Sequence, residues 1–243
     1  MTKIDITEDQ PFRVLVVLAH PDDPDFFCGG TVARWSAEGR EVFFCLLTRG
    51  EKGVDNPSND PEKLANIRME EQRAAAKVLG VLEVLFMDHP DGFLIPDLNL
   101  RRDVVRVIRR IRPQIVVTCD PTNFFPSDRY INHPDHRAAG QAVLDAVFPA
   151  AGLGSYFPEL SNEEKLEPHK VSQVYVAGAK HPNTVVDVSD YMDLKVEALT
   201  KHRSQIRDVE ELEKGLRERM LDPQSPPDAP RYTERFKRID LRR

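Results

Sequence analysis

The stretch F-R-V-L-V-V-L-A, Phe12 to Ala19, runs directly into H-P-D-D-P-D-F-F, His20 to Phe27. An apolar run of that length, rich in Val and Leu, reads as a strand covered on both faces, the habit of a parallel sheet between layers of helices. It ends in one histidine and three aspartates: His20, Asp22, Asp23 and Asp25. Carboxylates crowded beside a core repel one another and gain nothing from it. The stretch therefore asks for a positive charge: a metal ion or a cationic partner. The plainer answer is water around a polar turn.

Outward from this stretch, short runs of Val, Ile and Phe alternate with stretches of helical period, the signature of βαβ units. Gly29-Gly30 turns the chain into a helix over T-V-A-R-W-S-A-E-G, closed by Gly39. A second strand spans Glu41 to Thr48 and is followed by a long polar loop. Asp60 then caps a helix from about Pro61 to Leu79, with proline in its first turn and Gly80 at its end. Val84 to Phe86 anchor a third strand, Leu100 to Ile111 a helix, Gln114 to Cys119 a fourth strand, and His136 to Val147 another helix. Val171 to Ala177 and Thr184 to Val188 complete the strands, and Ser189 caps a helix reaching about His202.

A charged helical stretch and the proline-rich Asp222 to Pro230 set off a terminal R-Y-T-E-R-F-K-R, either a docked extension or a flap. The expectation is one Rossmann-like α/β domain over 1–243, a mainly parallel sheet with helices on both faces, and 222–243 as a C-terminal extension.

The bulk properties narrow the function. The chain has 243 residues, 40% hydrophobic and 30% charged, which suits a globular protein. A net charge of -6 without a basic stripe argues against nucleic acid as a partner. No apolar run approaches a membrane span, and the acidic N-terminus lacks the apolar core of a signal peptide. Cys28, Cys45 and Cys119 are odd in number and far apart, as buried thiols in a reducing compartment are. A cytoplasmic protein is expected.

Loops after the carboxyl ends of parallel strands share one rim, where ligands bind. His20, Asp22 and Asp23 follow the first strand, and His133, Asp135 and His136 follow the fourth. Two histidines and a carboxylate suffice for a catalytic zinc site with an open position. Such a metal is one answer to the crowded carboxylates, and one member of the Asp22-Asp23 pair then remains free to act as base.

H-P-D or H-P-N occurs four times, beginning at His20, His89, His133 and His181, and taken singly each is a good turn. His89-Pro90-Asp91-Gly92 and His181-Pro182-Asn183 read as turns. The first and third copies stand out because Asp23 follows Asp22 and His136 follows His133 at ligand-like spacing. Asp135, directly before a helix, also suits an N-cap, and His202 at a helix end suits the helix dipole.

Taken together, A-H-P-D-D and H-P-D-H resemble the PIG-L/LmbE family of metal-dependent N-acetylglucosamine deacetylases and related amidases. T-R-G-E-K-G after the second strand, I-R-M-E-E-Q-R-A-A-A-K-V-L-G in the long helix and K-H-R-S-Q near residue 202 extend the likeness. The resemblance implies that His20, Asp23 and His136 hold Zn2+, with Fe2+ an acceptable occupant. It implies Asp22 as general base, and His133 as the group that stabilises the oxyanion or protonates the amine, partnered by Asp135. Arg68 would hold substrate or the tetrahedral adduct, and Asp91 would accept a bond from a sugar hydroxyl. Where the family commonly has glutamate after the Asp pair, this chain has Pro24 and Asp25.

The implied activity is hydrolysis of an N-acetylated sugar or sugar conjugate by a homo-oligomer. The alternatives are an amidase for another N-acyl or thiol-conjugate substrate, and a non-haem iron oxygenase built on two histidines and a carboxylate. A nucleotide-binding oxidoreductase lacks its full glycine fingerprint here, and a non-catalytic scaffold would not need complete ligand positions.

Overall fold

In the computed structural model, which describes residues 11–54 and 60–241, the opening stretch becomes strand β1 (Arg13–Leu18). Val14, Val16 and Leu18 point to one face, Leu15 and Val17 to the other, and all five are buried. A strand buried on both faces needs a layer on each side, and the remaining elements supply both. In chain order they are α1 (Asp23–Ala37), β2 (Glu41–Thr48), α2 (Pro61–Val78), β3 (Glu83–His89), α3 (Leu98–Ile111), β4 (Ile115–Cys119) and α4 (Pro134–Val147). Then come α5 (Pro158–Asn162), β5 (Gln173–Ala177), β6 (Thr184–Asp187), α6 (Met192–Leu199), α7 (Val209–Met220) and β7 (Thr233–Asp240).

The seven strands form one sheet in the order β3-β2-β1-β4-β5-β7-β6. The first five are parallel, and β7 runs antiparallel to both its neighbours. On one face Leu15 and Val17 pack with Val104 and Ile108 of α3 and Ala139 and Val143 of α4. On the other, Val14 and Val16 meet Val32 and Trp35 of α1, Ala75 of α2 and its C-cap Leu79. This is the expected α/β class, with helices on both faces. Among the described residues no helix is long and apolar enough to cross a membrane. The N-terminal stretch read above for a signal peptide lies outside the described residues.

Three elements depart from the sequence reading. Helix α1 begins at Asp23 and is kinked at Cys28, where φ -150 and ψ 17 are non-helical, so a turn bearing the aspartates precedes the helix expected after Gly29-Gly30. Pro24 sits where a missing N–H loses nothing, and carboxylates there favour the helix dipole. The glycines lie inside the helix because a Cβ on Gly30 would come within 2.8 Å of Val188. The helix expected up to His202 stops at Leu199, leaving His202 in the connection to α7. Finally, the terminal segment supplies an unforeseen strand, β7, inserted into the sheet between β5 and β6. Glu234 secures it by accepting from the N–H groups of Gly30 and Thr31 and pairing with buried Lys195 at 2.6 Å.

Candidate metal centre and active site

From β1 the sheet proceeds one way to β2 and β3, and from β4 the other way to β5. The crevice at the carboxyl ends of β1 and β4 is therefore the switch point of the sheet, where α/β folds bind ligands. The His20 and His133 clusters meet there as expected.

Asp23 stands between two histidines, with Oδ1 3.0 Å from His136 Nε2 and Oδ2 3.4 Å from His20 Nδ1. The far nitrogens of both rings are already engaged. His136 Nδ1 lies 3.2 Å from Asn132 Oδ1, and His20 Nε2 lies 3.1 Å from Asp91 Oδ1 and 3.3 Å from Asp135 Oδ2. Outer acceptors of this kind hold metal-binding histidines in one tautomer and orientation, so the donor set fits a divalent cation. His20, His133 and His136 also bring ligand atoms within 4.8 Å of one another, as do His20, Asp91 and Asp135. In the latter group the carboxylates are already bonded to N–H donors from Lys52, Gly92 and Leu94.

Electrostatics answer the question posed by the crowded carboxylates. Burial alone would make His20 less basic, but the charge of Asp23 and bonds with Asp135, Asp23 and Asp91 raise its pKa to about 12. Burial disfavours the Asp23 anion, yet His136 and His20 hold its carboxyl well below the usual range. Asp91 is likewise penalised by burial but held at about 2 by its bonds to His20 and the Lys52 N–H. The centre is built for net positive charge.

Asp22 has a different environment. Burial raises its carboxyl to about 6, with Arg68 pulling in the opposite direction. Arg68 Nη2 donates to Asp22 Oδ2 at 3.1 Å and to the Pro21 carbonyl at 2.5 Å, and Nη1 donates to the Gly50 carbonyl at 3.0 Å. Gly50 and Gly53 of T-R-G-E-K-G make room for it, because a Cβ at either would collide with the guanidinium. Arg68, expected to hold substrate, is buried behind Asp22 with its terminal nitrogens committed to protein oxygens. Asp91, expected to meet a sugar hydroxyl, has its oxygens on His20 and Lys52.

Asp135 is also relocated. His133 is the N-cap of α4, its Nδ1 accepting from the Asp135 N–H at 3.2 Å. The Asp135 carboxylate, completely buried, turns from His133 to His20 and to the N–H groups of Gly92 and Leu94. With Nδ1 an acceptor, a neutral His133 carries its proton on Nε2. Burial, and then the charge of His20, lower its pKa and favour that neutral form.

Sequence reasoning gave no role to Asn132 or Gln72, and it named Asp25 and His202 without joining them. Asn132 carried a local signal, sitting directly before the H-P-D-H motif. His202, assigned to a helix dipole, is instead fully buried with Nε2 2.9 Å from Asp25 Oδ2. A cavity of about 600 Å³ opens beside Asp23 and His136, walled by Phe26, Phe27 and Tyr130 and edged by Arg219 and Arg235.

Residues 15–147 match the family model described as PIG-L, GlcNAc-PI de-N-acetylase. The chain belongs to the PIG-L family. It is 36% identical over 217 residues to diacetylchitobiose deacetylase of Thermococcus kodakarensis, covering 87% of this chain and 79% of the relative. A 1D-myo-inositol 2-acetamido-2-deoxy-alpha-D-glucopyranoside deacetylase of Kineococcus radiotolerans is 29% identical, over 82% of this chain and 70% of the relative. Among solved structures, N,N'-diacetylchitobiose deacetylase from Pyrococcus horikoshii, complexed with its inhibitor MPG, superposes with a TM-score of 0.83 at 30% identity. That match covers 94% of this chain and 84% of the other. The matched PIG-L region begins in β1 and closes with α4, so both His-Pro-Asp clusters lie inside it.

Proposed function

We propose that this PIG-L protein is a zinc-dependent N-deacetylase that removes the acetyl group from an N-acetylglucosaminyl sugar or sugar conjugate. One observation carries the reading: Asp23 lies between inward nitrogens of His20 and His136 whose outer nitrogens are held by Asp91, Asp135 and Asn132. His20, Asp23 and His136 are the ligands. When bound, the cation supplies Lewis acidity and brings a ligated water towards a pKa of about 7.

The chain's own groups do the rest. Asp22 accepts a proton from the attacking water, whose oxygen bonds to the acetamide carbon. His133 donates from Nε2 to the developing oxyanion, and a preorganised donor of this type contributes about 3 to 4 kcal/mol. Because its neutral form is favoured, His133 serves as donor and not as acid. Asp22 then delivers its proton to the amine nitrogen as the C–N bond breaks, releasing acetate and a free amine. The adjoining cavity, with its three aromatic rings, takes the remainder of the sugar conjugate.

An oxygenase of the two-histidine, one-carboxylate kind would leave Asp22 and its Arg68 clamp without a role. Three buried free cysteines accord with work in the cytoplasm. The test pairs metal content with acetate release from a panel of N-acetylated sugars, for wild type and His136→Ala. Stoichiometric zinc and acetate should both vanish in the variant. A wild type that purifies and reconstitutes without metal would defeat the reading.

A further inference from the structure

Asp22 has φ 95 and ψ -30, a conformation residues with a Cβ rarely adopt. Such a backbone persists where its surroundings over-determine it, and it clusters at functional sites. The carbonyl of Asp22 accepts from the N–H groups of Asp25 and Phe26 at 3.0 and 3.1 Å, the first bonds of α1. Its own N–H has one partner, Gln72 Oε1 at 2.7 Å. The residue is thus clamped on both sides, and the clamp on the N–H side is a side chain from another helix.

That side chain cannot turn over freely. Gln72 is completely buried, and its Nε2 donates to Asp25 Oδ2 at 2.8 Å. The same Asp25 oxygen lies 2.9 Å from Nε2 of His202, and Asp25 and His202 are also fully buried. If the Gln72 amide flipped, its NH2 would face the Asp22 N–H and its carbonyl would face a carboxylate. The order Asp22, Gln72, Asp25, His202 therefore fixes the direction of every bond. Among the described residues no group bonds to Asp25 Oδ1 or His202 Nδ1.

We propose that Gln72, braced by Asp25 and His202, is a positioning residue for Asp22. It holds the backbone of the base in its left-handed conformation and thereby aims the carboxylate beside Asp23. This rests on the deacetylase reading, in which Asp22 is the base. It also gives the fully buried Asp25 a task.

The experiment uses zinc-loaded full-length protein and acetate release from N,N'-diacetylchitobiose. Gln72→Met keeps the volume and removes both bonds. Its kcat should fall about 100-fold, the scale of a small misplacement of a catalytic group, with KM changed no more than about threefold. Zinc affinity by dye competition should stay at the wild-type value, and melting should stay cooperative at a temperature lowered by the loss of two buried bonds. In the Asp22→Asn background, Gln72→Met should change the residual rate less than about twofold, because a residue acting through Asp22 has nothing left to act on.

His202→Gln, which retains an N–H donor for Asp25, should keep most of the activity that His202→Leu loses. This pair answers the same question if Gln72→Met does not fold. Wild-type kcat in Gln72→Met, a parallel loss of zinc, or an equal fall in the Asp22→Asn background overturns the positioning role. By contrast, wild-type turnover in Asp22→Asn, or no acetate from zinc-loaded wild type, overturns the deacetylase reading itself and the proposal with it.

Discussion

Arg68 Nη2 lies 3.1 Å from Asp22 Oδ2, and the same nitrogen donates to the carbonyl of Pro21 one residue earlier. One guanidinium thus grips the proposed base and the turn that carries it. Removing its charge leaves burial to act on Asp22 without the chief force lowering its pKa. In Arg68→Met the acid limb of kcat/KM should move to higher pH, and kcat at neutral pH should fall. Arg68→Lys should rescue little, because an ammonium cannot span the Pro21 and Gly50 carbonyls and Asp22 as the planar fork does. A pH–rate profile superimposable on wild type would remove Arg68 from control of the base.

His20 depends on two carboxylates behind it. Asp91→Asn and Asp135→Asn each leave an acceptor oxygen near Nε2 but withdraw a charge, so the ring binds a cation less firmly. Zinc affinity should weaken by about 10- to 100-fold in either variant, the usual effect of altering a ligand's outer partner. Competition with a chromogenic chelator measures it, and unchanged affinity would mean that neither carboxylate supports His20 as a ligand.

The His202–Asp25 pair makes stability depend on pH with a definite sign. Burial lowers the basicity of His202, but the bond to Asp25 and the charges of Asp25, Asp22 and Glu71 leave it raised above the ordinary value. A group more basic in the folded state stabilises fully below its unfolded pKa, about 6.5, and loses that contribution as pH rises through the folded value. Chelator-treated wild type should therefore outlast His202→Gln in urea by a wider margin at about pH 6 than at about pH 9. Identical margins would mean that folding leaves the pKa of His202 unchanged.

Gly140 lies where α4 crosses the end of β4. A Cβ there would collide with the backbone carbonyl of Cys119, which cannot rotate aside as a flexible side chain would. Gly140→Ala should lose about 1 to 3 kcal/mol despite alanine's better helix propensity. The same displacement moves the start of α4, which carries His133, Asp135 and His136, so zinc occupancy should fall together with the melting temperature. A stabilised protein with full zinc would show that α4 can shift without cost.

The uneven legibility of the site has a physical cause. Unbroken apolar strands, the Asp60-Pro61 cap and the closing Gly39 act through neighbours in sequence, so β1, β2, α2 and their order could be read directly. That the His20 and His133 clusters share one crevice was legible because two compact motifs each carry their own chemistry. Strand β7 was hidden because its buried positions include Glu234, a residue that advertises solvent until Lys195 and the α1 backbone are brought to it. Gln72, Asp25 and His202 were hidden because their bonds join residues up to 177 positions apart. Asp135 was placed in the right crevice but faces His20 and not His133, since spacing sets a loop's location and not the direction of its carboxylate.

The insertion of β7 between β5 and β6 has a consequence for the order of synthesis. Strand β6 is complete at Asp187, yet its sole neighbour in the sheet does not begin until Thr233. On the ribosome β6 must wait, unpaired, until that last strand emerges. Glu234 arrives with it and closes on the N–H groups of Gly30 and Thr31 in the helix that begins at Asp23. A chain halted just short of β7 would hold every residue of the proposed metal site while lacking the latch on the helix that presents one of its ligands.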